Sequence, residues 1–408
     1  MSDAIVIRPA TPADFDEIAR VKAIGFGSDE ARNRARLESN PRYNHTHMVV
    51  AKIKGETAGV ATAFPTQLWL SGVPIHAGAV AGVTTLPKYR RRGVATNMMQ
   101  ILLERMRQEQ LALSILYPFS HPYYRRLGYG TAGLVHAYRI APGDLSVFSE
   151  AQSVRPFTPD DLPAVRSLYR GELTWFDGRL TRSNAWWKAI QATAQERREI
   201  QAVYDDGGLD GYLRYRFQKN DTGKRDLIVV EMFTASDAAY RGLWGYLAGQ
   251  MANAIYYLAP PDEPVHQLLA NPLAVEAKNN GWIFNEVYNV APSFMLRIID
   301  IEEALTSRFY PPDMMGEAVF KIDDPQLPAN AEPIALRLVD GRPETSPAGD
   351  RKPQVETDIV TFSQIYCGFL PPAQARRLNR LTIDDDLLVW LGRAMAAHPL
   401  FIHAGDWF

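Results

Sequence analysis

The sequence predicts an α/β architecture built twice and followed by an α+β unit, and three observations lead there. Residues 79–107 read as a buried strand that turns into an amphipathic helix. A seven-residue pattern near the N-terminus recurs 147 residues on, from Arg8 to Arg155. From Met295 the strand–helix alternation gives way to short strands, a polar loop and one longer helix. At 408 residues the chain has room for two to three domains of roughly 150 residues each.

The first observation carries the chemistry. Val80, Val83, Thr84 and Thr85 are small or β-branched and suit a buried strand. After a turn at Leu86-Pro87-Lys88, an apolar face at Val94, Met98, Ile101/Leu102 and Met106 has helical spacing. Between them lies Arg90-Arg91-Arg92-Gly93-Val94-Ala95. A glycine and small residues at a helix start leave backbone N–H groups uncovered. With the helix dipole and the arginines they form an anion site suited to a pyrophosphate. Read alone, Arg90–Arg92 is equally a solvated basic turn.

Around this stretch, Ile5–Ile7 is a strand, and Thr11 is an N-cap with Pro12 at the first helical position. Val49–Lys54 and Glu56–Ala63 form a strand pair, Gln67–Leu70 and Pro74–Ala77 flank a turn at Ser71-Gly72, and Ala112–Tyr117 is a further strand. The repeat pairs Arg8-Pro9-x-Thr11-Pro12-x-Asp14 with Arg155-Pro156-x-Thr158-Pro159-x-Asp161, and Leu227–Thr234 falls in the place of Ala79–Thr85. The matching helix start, Ala239 to Gly245, lacks the Arg-x-x-Gly-x-Ala arrangement, and Trp244 is expected to crowd a phosphate. Two related domains are therefore expected, the second without the anion site. Beyond Met295, the expected elements are a helix at Ile301–Leu305, strands at Glu317–Ile322, Ile334–Val339 and Val355–Thr361, and helices at Phe362–Cys367 and Asp384–Ala396. The Gly341–Pro353 loop is expected to be disordered by its composition. The boundaries read as 1–150, 151–294 and 295–408.

Composition excludes several functions. With 46% apolar and 22% charged residues the chain can build cores. A net charge of −2 argues against a general nucleic-acid binder. The single cysteine, Cys367, rules out an intramolecular disulfide framework. The opening residues read as the first strand and not as a secretory leader, and no apolar run reaches the ~20 residues of a membrane span, so no membrane partner and a cytoplasmic location are expected. Eight scattered histidines, with only His45-x-His47 close together, give no metal site. Ser120-His121 lacks the glycine elbow of a nucleophilic serine.

The motif Arg90-x-x-Gly93-x-Ala95 matches the (Arg/Gln)-x-x-Gly-x-(Gly/Ala) signature of the GNAT acyltransferases, and Ile5-x-Ile7-Arg8-Pro9-Ala10-Thr11 is similar to that superfamily's opening. Across its length the chain resembles the Eis family, through Val83-Thr84-Thr85-Leu86-Pro87, Tyr123-Tyr124-x-Arg126-Leu127-Gly128-Tyr129-Gly130 and Met295-Leu296-Arg297-Ile298-Ile299-Asp300. The resemblance implies two tandem GNAT domains, the second degenerate, then a sterol-carrier-protein-like domain. It implies acetyl-CoA as co-substrate and a primary amine as acceptor: an aminoglycoside, a polyamine or a lysine side chain. It places the strand edge at Val83, Thr84 and Thr85 on the pantetheine, and the backbone of Arg91, Arg92, Gly93, Val94, Ala95 and Thr96, with the charge of Arg90, on the pyrophosphate. Phe119 and Ser120 fall on further cofactor contacts. Tyr124 falls on the general acid and the terminal carboxylate of Phe408 on the general base. From the residues alone, Tyr124 is also a packing partner of Tyr123 and Tyr129, and Phe408 an ordinary chain end. Family members form hexamers, so a homo-oligomer is expected. Asp29, Glu30, Glu38, Trp69 and the Phe26 region are candidates for the acceptor side. The alternative reading is a non-catalytic acyl-CoA or lipid-binding module, motivated by the third domain.

Overall fold

The computed structural model describes residues 4–40, 44–272 and 287–408. The first part of the chain forms β1 (Ile5–Pro9), α1 (Phe15–Phe26), α2 (Glu30–Ser39), β2 (Met48–Ile53), β3 (Glu56–Leu70), β4 (Val73–Thr85), α3 (Val94–Gln108), β5 (Leu113–Leu116), α4 (His121–Arg125), β6 (Gly130–Thr131) and β7 (Leu134–Ile140). Next come β8 (Val154–Pro156), α5 (Leu162–Trp175), α6 (Asn184–Glu196), β9 (Ile200–Asp205), β10 (Leu209–Lys219), β11 (Arg225–Thr234), α7 (Asp237–Ala248), β12 (Ile255–Ala259) and β13 (Asn289–Pro292). The last part holds β14 (Met295–Ile298), α8 (Ile301–Ser307), β15 (Gly316–Asp323), β16 (Ile334–Val339), β17 (Arg342–Pro347), β18 (Val355–Asp358), α9 (Ile359–Tyr366), α10 (Pro372–Arg377), β19 (Leu381–Ile383) and α11 (Asp385–Ala394). Among the described residues no helix is long and apolar enough to cross a membrane.

The strands form three sheets, ordered β1-β2-β3-β4-β5-β14-β6, β13-β7-β12-β11-β10-β9-β8 and β17-β16-β15-β18-β19. The first two share one design with a reciprocal exchange. β14 lies against β5 although nearly the whole second unit separates them in sequence, and β7 lies against β12. β14 thus sits between β5 and β6, and β7 between β13 and β12, so each sheet holds an interior strand on which its edge strand pairs.

The sequence repeat has a physical cause. In the first copy Arg8 holds both carboxylate oxygens of Asp14, at 2.8 and 2.6 Å, while Asp14 also accepts from the Thr11 backbone N–H and hydroxyl. Arg155, Asp161 and Thr158 repeat the arrangement, at 2.9 and 2.8 Å for the two arginine contacts. The staple joins the first strand of each unit to its first helix, and the arginine holds each carboxyl well below the usual carboxylate range.

Several elements differ from expectation. β3 and β4 are continuous long strands that absorb the shorter segments read around Ser71-Gly72. On α3 the buried face takes Leu102, while Ile101 is 41% exposed. Arg342–Pro347, inside the loop expected to be disordered, pairs along β16 as an edge strand. Its alternation is polar on both faces, so hydrophobic periodicity could not mark it. α9 starts at Ile359, because Asp358 caps it by accepting from the Thr361 N–H at 2.8 Å. This helix is buried throughout. It packs on the first sheet through Ser363, which accepts from the Ile298 N–H, and Gln364, which donates to the Thr131 carbonyl.

After α11 the chain crosses back to the other two units. His398 N–H donates to Asp177 at 2.8 Å, and Arg179 donates to the Phe401 carbonyl at 2.9 Å. Asp406 then meets Arg182 in a two-pronged ion pair at 2.7 and 2.8 Å, with both side chains essentially without solvent contact. Arg182 also donates to Glu231 at 2.6 Å, and Glu231 pairs in turn with Arg214. Burial alone would favour a neutral Arg182, but Asp406 and Glu231 outweigh it and keep the guanidinium charged. Removing one partner of such a pair leaves a buried charge uncompensated. Asp406→Ala is therefore expected to destabilise the fold by about 3–5 kcal/mol, read as a clear fall in apparent Tm by scanning fluorimetry. An unchanged Tm would show that the pair does not anchor the tail.

Candidate active site

β4 and β5 run parallel and pair only from Ala77↔Leu113 to Val80↔Leu116. β4 then carries one residue more than β3 between Ala81 and Thr84, a bulge in which Gly82 takes φ +62°. Bulges bend and twist a strand, and from here to Thr85 β4 runs on without pairing to β5. The two strands part into a wedge, and the backbone edge of β4 facing the wedge is left for another extended chain.

On the α3 side the wedge opens into a cleft of about 680 Å³. It is lined by Val83, Thr84 and Thr85 of β4, by Arg90, Arg91, Gly93, Val94, Ala95 and Thr96 at the start of α3, and by Phe119 beyond β5. Gly93 is the N-cap of α3 at φ +80°, a left-handed conformation natural to glycine, and its side-chain-free face leaves the first N–H groups of the helix open. Among the described residues no carboxylate lines the cleft, while Arg90, Arg91 and Arg126 do. An anionic, elongated ligand fits this combination of helix N-terminus, guanidinium groups and free strand edge.

Of the cofactor contacts expected from the sequence, Arg92 and Ser120 do not line the cleft. Arg92 lies over the Tyr89 ring at 5.7 Å, and Ser120 precedes α4, its carbonyl accepting from the Tyr124 N–H. Gly25, Tyr89, Tyr123 and Arg126 line it without having been assigned to it. Arg126 could have been found, since it lies inside the Tyr-Tyr-x-Arg stretch. The contribution of α1 could not, because no local pattern brings that helix end to β4. Phe26, read as an acceptor-side candidate, lies in this same cleft. Trp69 instead donates to Thr181, and Asp29 caps α2. Among the described residues no group of three or more His, Cys, Asp or Glu is placed to hold a metal ion.

Tyr124 lies behind the cleft wall, 2% exposed, within a ring of aromatic neighbours: Tyr123 at 4.9 Å, Phe119 at 5.1 Å and Tyr129 at 5.9 Å between ring centres. Burial first, then the neighbouring phenols, raises its pKa well above the ordinary tyrosine value, so the hydroxyl holds its proton at any physiological pH.

Phe408 arrives on the opposite face of the sheet. Its ring meets Phe64 of β3 at 5.4 Å and Tyr117, just past β5, at 5.5 Å. Phe64 pairs with Ala79, and Tyr117 follows Leu116, so Phe408 sits level with the apex of the wedge. The core residues divide accordingly. Val80, Val83 and Tyr124 pack with α3, whereas Ala79, Ala81 and Phe64 belong to the core against which Phe408 packs. The wedge is thus flanked by Tyr124 on one face and by the end of the chain on the other.

The corresponding place in the second unit differs from expectation. Trp244 is fully buried in its own core, stacked edge-on against Tyr257, and does not enter the cleft beside α7. What replaces the anion site there is acidic. Asp237 opens the helix, and Ser236 accepts from the Ala239 N–H, covering one of the donors that a phosphate would need.

Comparison with known proteins agrees with this geometry. Residues 6–132 and 178–298 each match an acetyltransferase (GNAT) domain model, together more than half of the chain. Residues 301–402 match a sterol carrier protein domain. An uncharacterized N-acetyltransferase of Streptomyces griseus is 24% identical over 353 residues, covering 74% of this chain and 76% of the relative. A GCN5-related N-acetyltransferase from Anabaena variabilis superposes with a TM-score of 0.87 at 19% identity, over 99% of this chain and 100% of that one. Eis1 from Mycobacterium abscessus shares the fold with a TM-score of 0.78 at 21% identity, over the same proportions. With its motif, its wedge and both tandem domains matched, the chain belongs to the GNAT acetyltransferases, in the arrangement of two GNAT domains followed by a sterol-carrier-protein domain.

Proposed function

We propose that the chain transfers the acetyl group of acetyl-CoA directly to a primary amine, of an aminoglycoside, a polyamine or a lysine side chain, at the wedge of the first GNAT domain. The observation that carries this reading is the parting of β4 and β5 beside a carboxylate-free, arginine-lined helix start. The free edge at Val83–Thr85 is the partner for the pantetheine amides, and the start of α3 is the seat of the pyrophosphate.

An alkylammonium has a pKa near ~10.4, so nearly all of it must lose a proton before its nitrogen can attack a thioester. In this reading the terminal carboxylate of Phe408 receives that proton. At a free-terminus pKa of ~3.3–3.7 it is a weak base in water, so it acts in this reading through water or with reduced hydration; the Phe408 ring itself packs on Phe64 and Tyr117. The amine nitrogen bonds to the acetyl carbon, the carbon–sulfur bond breaks, Tyr124 protonates the departing thiolate, and the second proton shed by the nitrogen as the amide forms passes to solvent, from which Tyr124 is reprotonated. No acyl-enzyme forms, and the acceptor amine and the acetyl donor approach from opposite faces of the sheet. Assembly as a homo-oligomer is part of the same proposal.

Thiol release from acetyl-CoA against a panel of aminoglycosides, polyamines and lysine peptides tests the reaction. Acetyl-CoA binding without thiol release from any amine would favour the lipid- or acyl-carrier reading instead. Tyr124→Phe is expected to lower kcat by ~10²–10⁴-fold while leaving acetyl-CoA affinity close to wild type. Wild-type kcat in that variant would remove the acid role. Adding one alanine after Phe408 shifts the terminal carboxylate by one residue. Turnover should then fall on the same scale with Tm unchanged, whereas an unchanged rate would exclude the terminal carboxylate as base.

A further inference from the structure

The second GNAT domain repeats the wedge of the first. β11 and β12 run parallel and pair only from Leu227↔Ile255 to Val229↔Tyr257. β11 then bulges against β10, carrying an extra residue between Val229 and Glu231, and continues to Thr234 without β12. The opening is a cleft of about 350 Å³ walled by the same four kinds of element as the first: a strand end, the start of α7, the loop after β12 and the end of α5. Its charge is reversed. Glu172, Asp237, Asp262 and Glu263 line it, against one guanidinium, Arg179. Arg179 is already engaged with Glu172 and with the Phe401 carbonyl, and is stacked against Phe176.

A second feature points to a ligand. His403, on the segment leading to the chain end, is 3% exposed and reaches the wall of this cleft. Its Nε2 has no hydrogen-bond partner among the described residues. Burial first, then Arg179, Arg182 and Arg214, holds its pKa well below the ordinary value, so the ring stays neutral. As a neutral ring it carries one acceptor nitrogen. Burial also pushes Glu172 and Glu263 up, and Glu263 accepts from Tyr240 and Tyr257. An ammonium beside these carboxylates would offset the cost of keeping them charged.

We propose that this cleft is a binding site for a small amine carrying more than one ammonium group, such as a polyamine, held by Glu172, Asp237, Asp262 and Glu263, with an N–H donated to His403. The acidic wall recognises the charge, Tyr240 and Tyr257 flank the carbon chain, and the occupied helix start refuses phosphate. The site is distinct from the wedge of the first domain and does not depend on the reaction proposed there.

Met232 lines the cleft and supplies a local probe. In protein labelled with ¹³C-methyl methionine, and with the signal assigned through Met232→Leu, spermidine should move the Met232 resonance and inorganic pyrophosphate should not. Asp237→Asn/Asp262→Asn alters two exposed side chains and should weaken the apparent Kd about tenfold or more. Acetyl transfer in the same samples reports the first wedge separately. A Met232 signal unmoved by millimolar spermidine would overturn the proposal. So would one that titrates identically in the double variant, or one that follows pyrophosphate.

Discussion

Two parallel strands that stop pairing after a few residues are the constraint on which the rest of the molecule depends. Parallel neighbours in a sheet interior normally satisfy each other's backbone groups along their length. Here a bulge on β4, with Gly82 at φ +62°, ends the pairing at Val80 and Leu116. An unpaired strand edge inside a domain is costly unless water or an extended ligand satisfies it, which is why the proposed cofactor site lies at the wedge. The aromatic cluster around Tyr124, the arginine-lined start of α3 and the arrival of Phe408 are all arranged about that opening.

The three units are bound into one object by devices that differ in kind. The exchange of β7 and β14 couples the first two sheets through backbone hydrogen bonds. The third unit contributes α9, packed beneath β14 and β6, and its final segment ends at the first sheet. Arg182, Asp406, Glu231 and Arg214 fix that segment with buried charge. Such networks add little net stability over an apolar core but penalise any other arrangement heavily. Here the network joins Asp406, two residues before the chain end, to Arg182.

Much of this was legible in the sequence, and the residues show why. Arg90-x-x-Gly93-x-Ala95 is local, so strand, turn and helix could be read in one window. Arg8/Asp14 and Arg155/Asp161 were visible as a repeat because each staple spans only seven residues. Beyond such windows, legibility fell. The exchange of β7 and β14 leaves no mark on either strand, since periodicity tells which face is buried and not which strand is the neighbour. β17 is an edge strand whose residues are polar, and it read as a loop. Trp244 was rightly placed on the helix after β11 but assigned to the cleft, when it belongs to the core face of α7. Asp406 and Arg182 lie 224 positions apart, and nothing in either neighbourhood names the other.

Duplication thus produced two wedges with opposite charge: one rimmed by Arg90, Arg91 and Arg126, the other by Asp237, Asp262 and Glu263. The proposed function puts a pyrophosphate-bearing ligand in the first alone. The most direct measurement is a calorimetric titration of the full-length chain with acetyl-CoA in amine-free buffer. One molecule bound per chain is the predicted result. Two per chain, or none, would contradict the account.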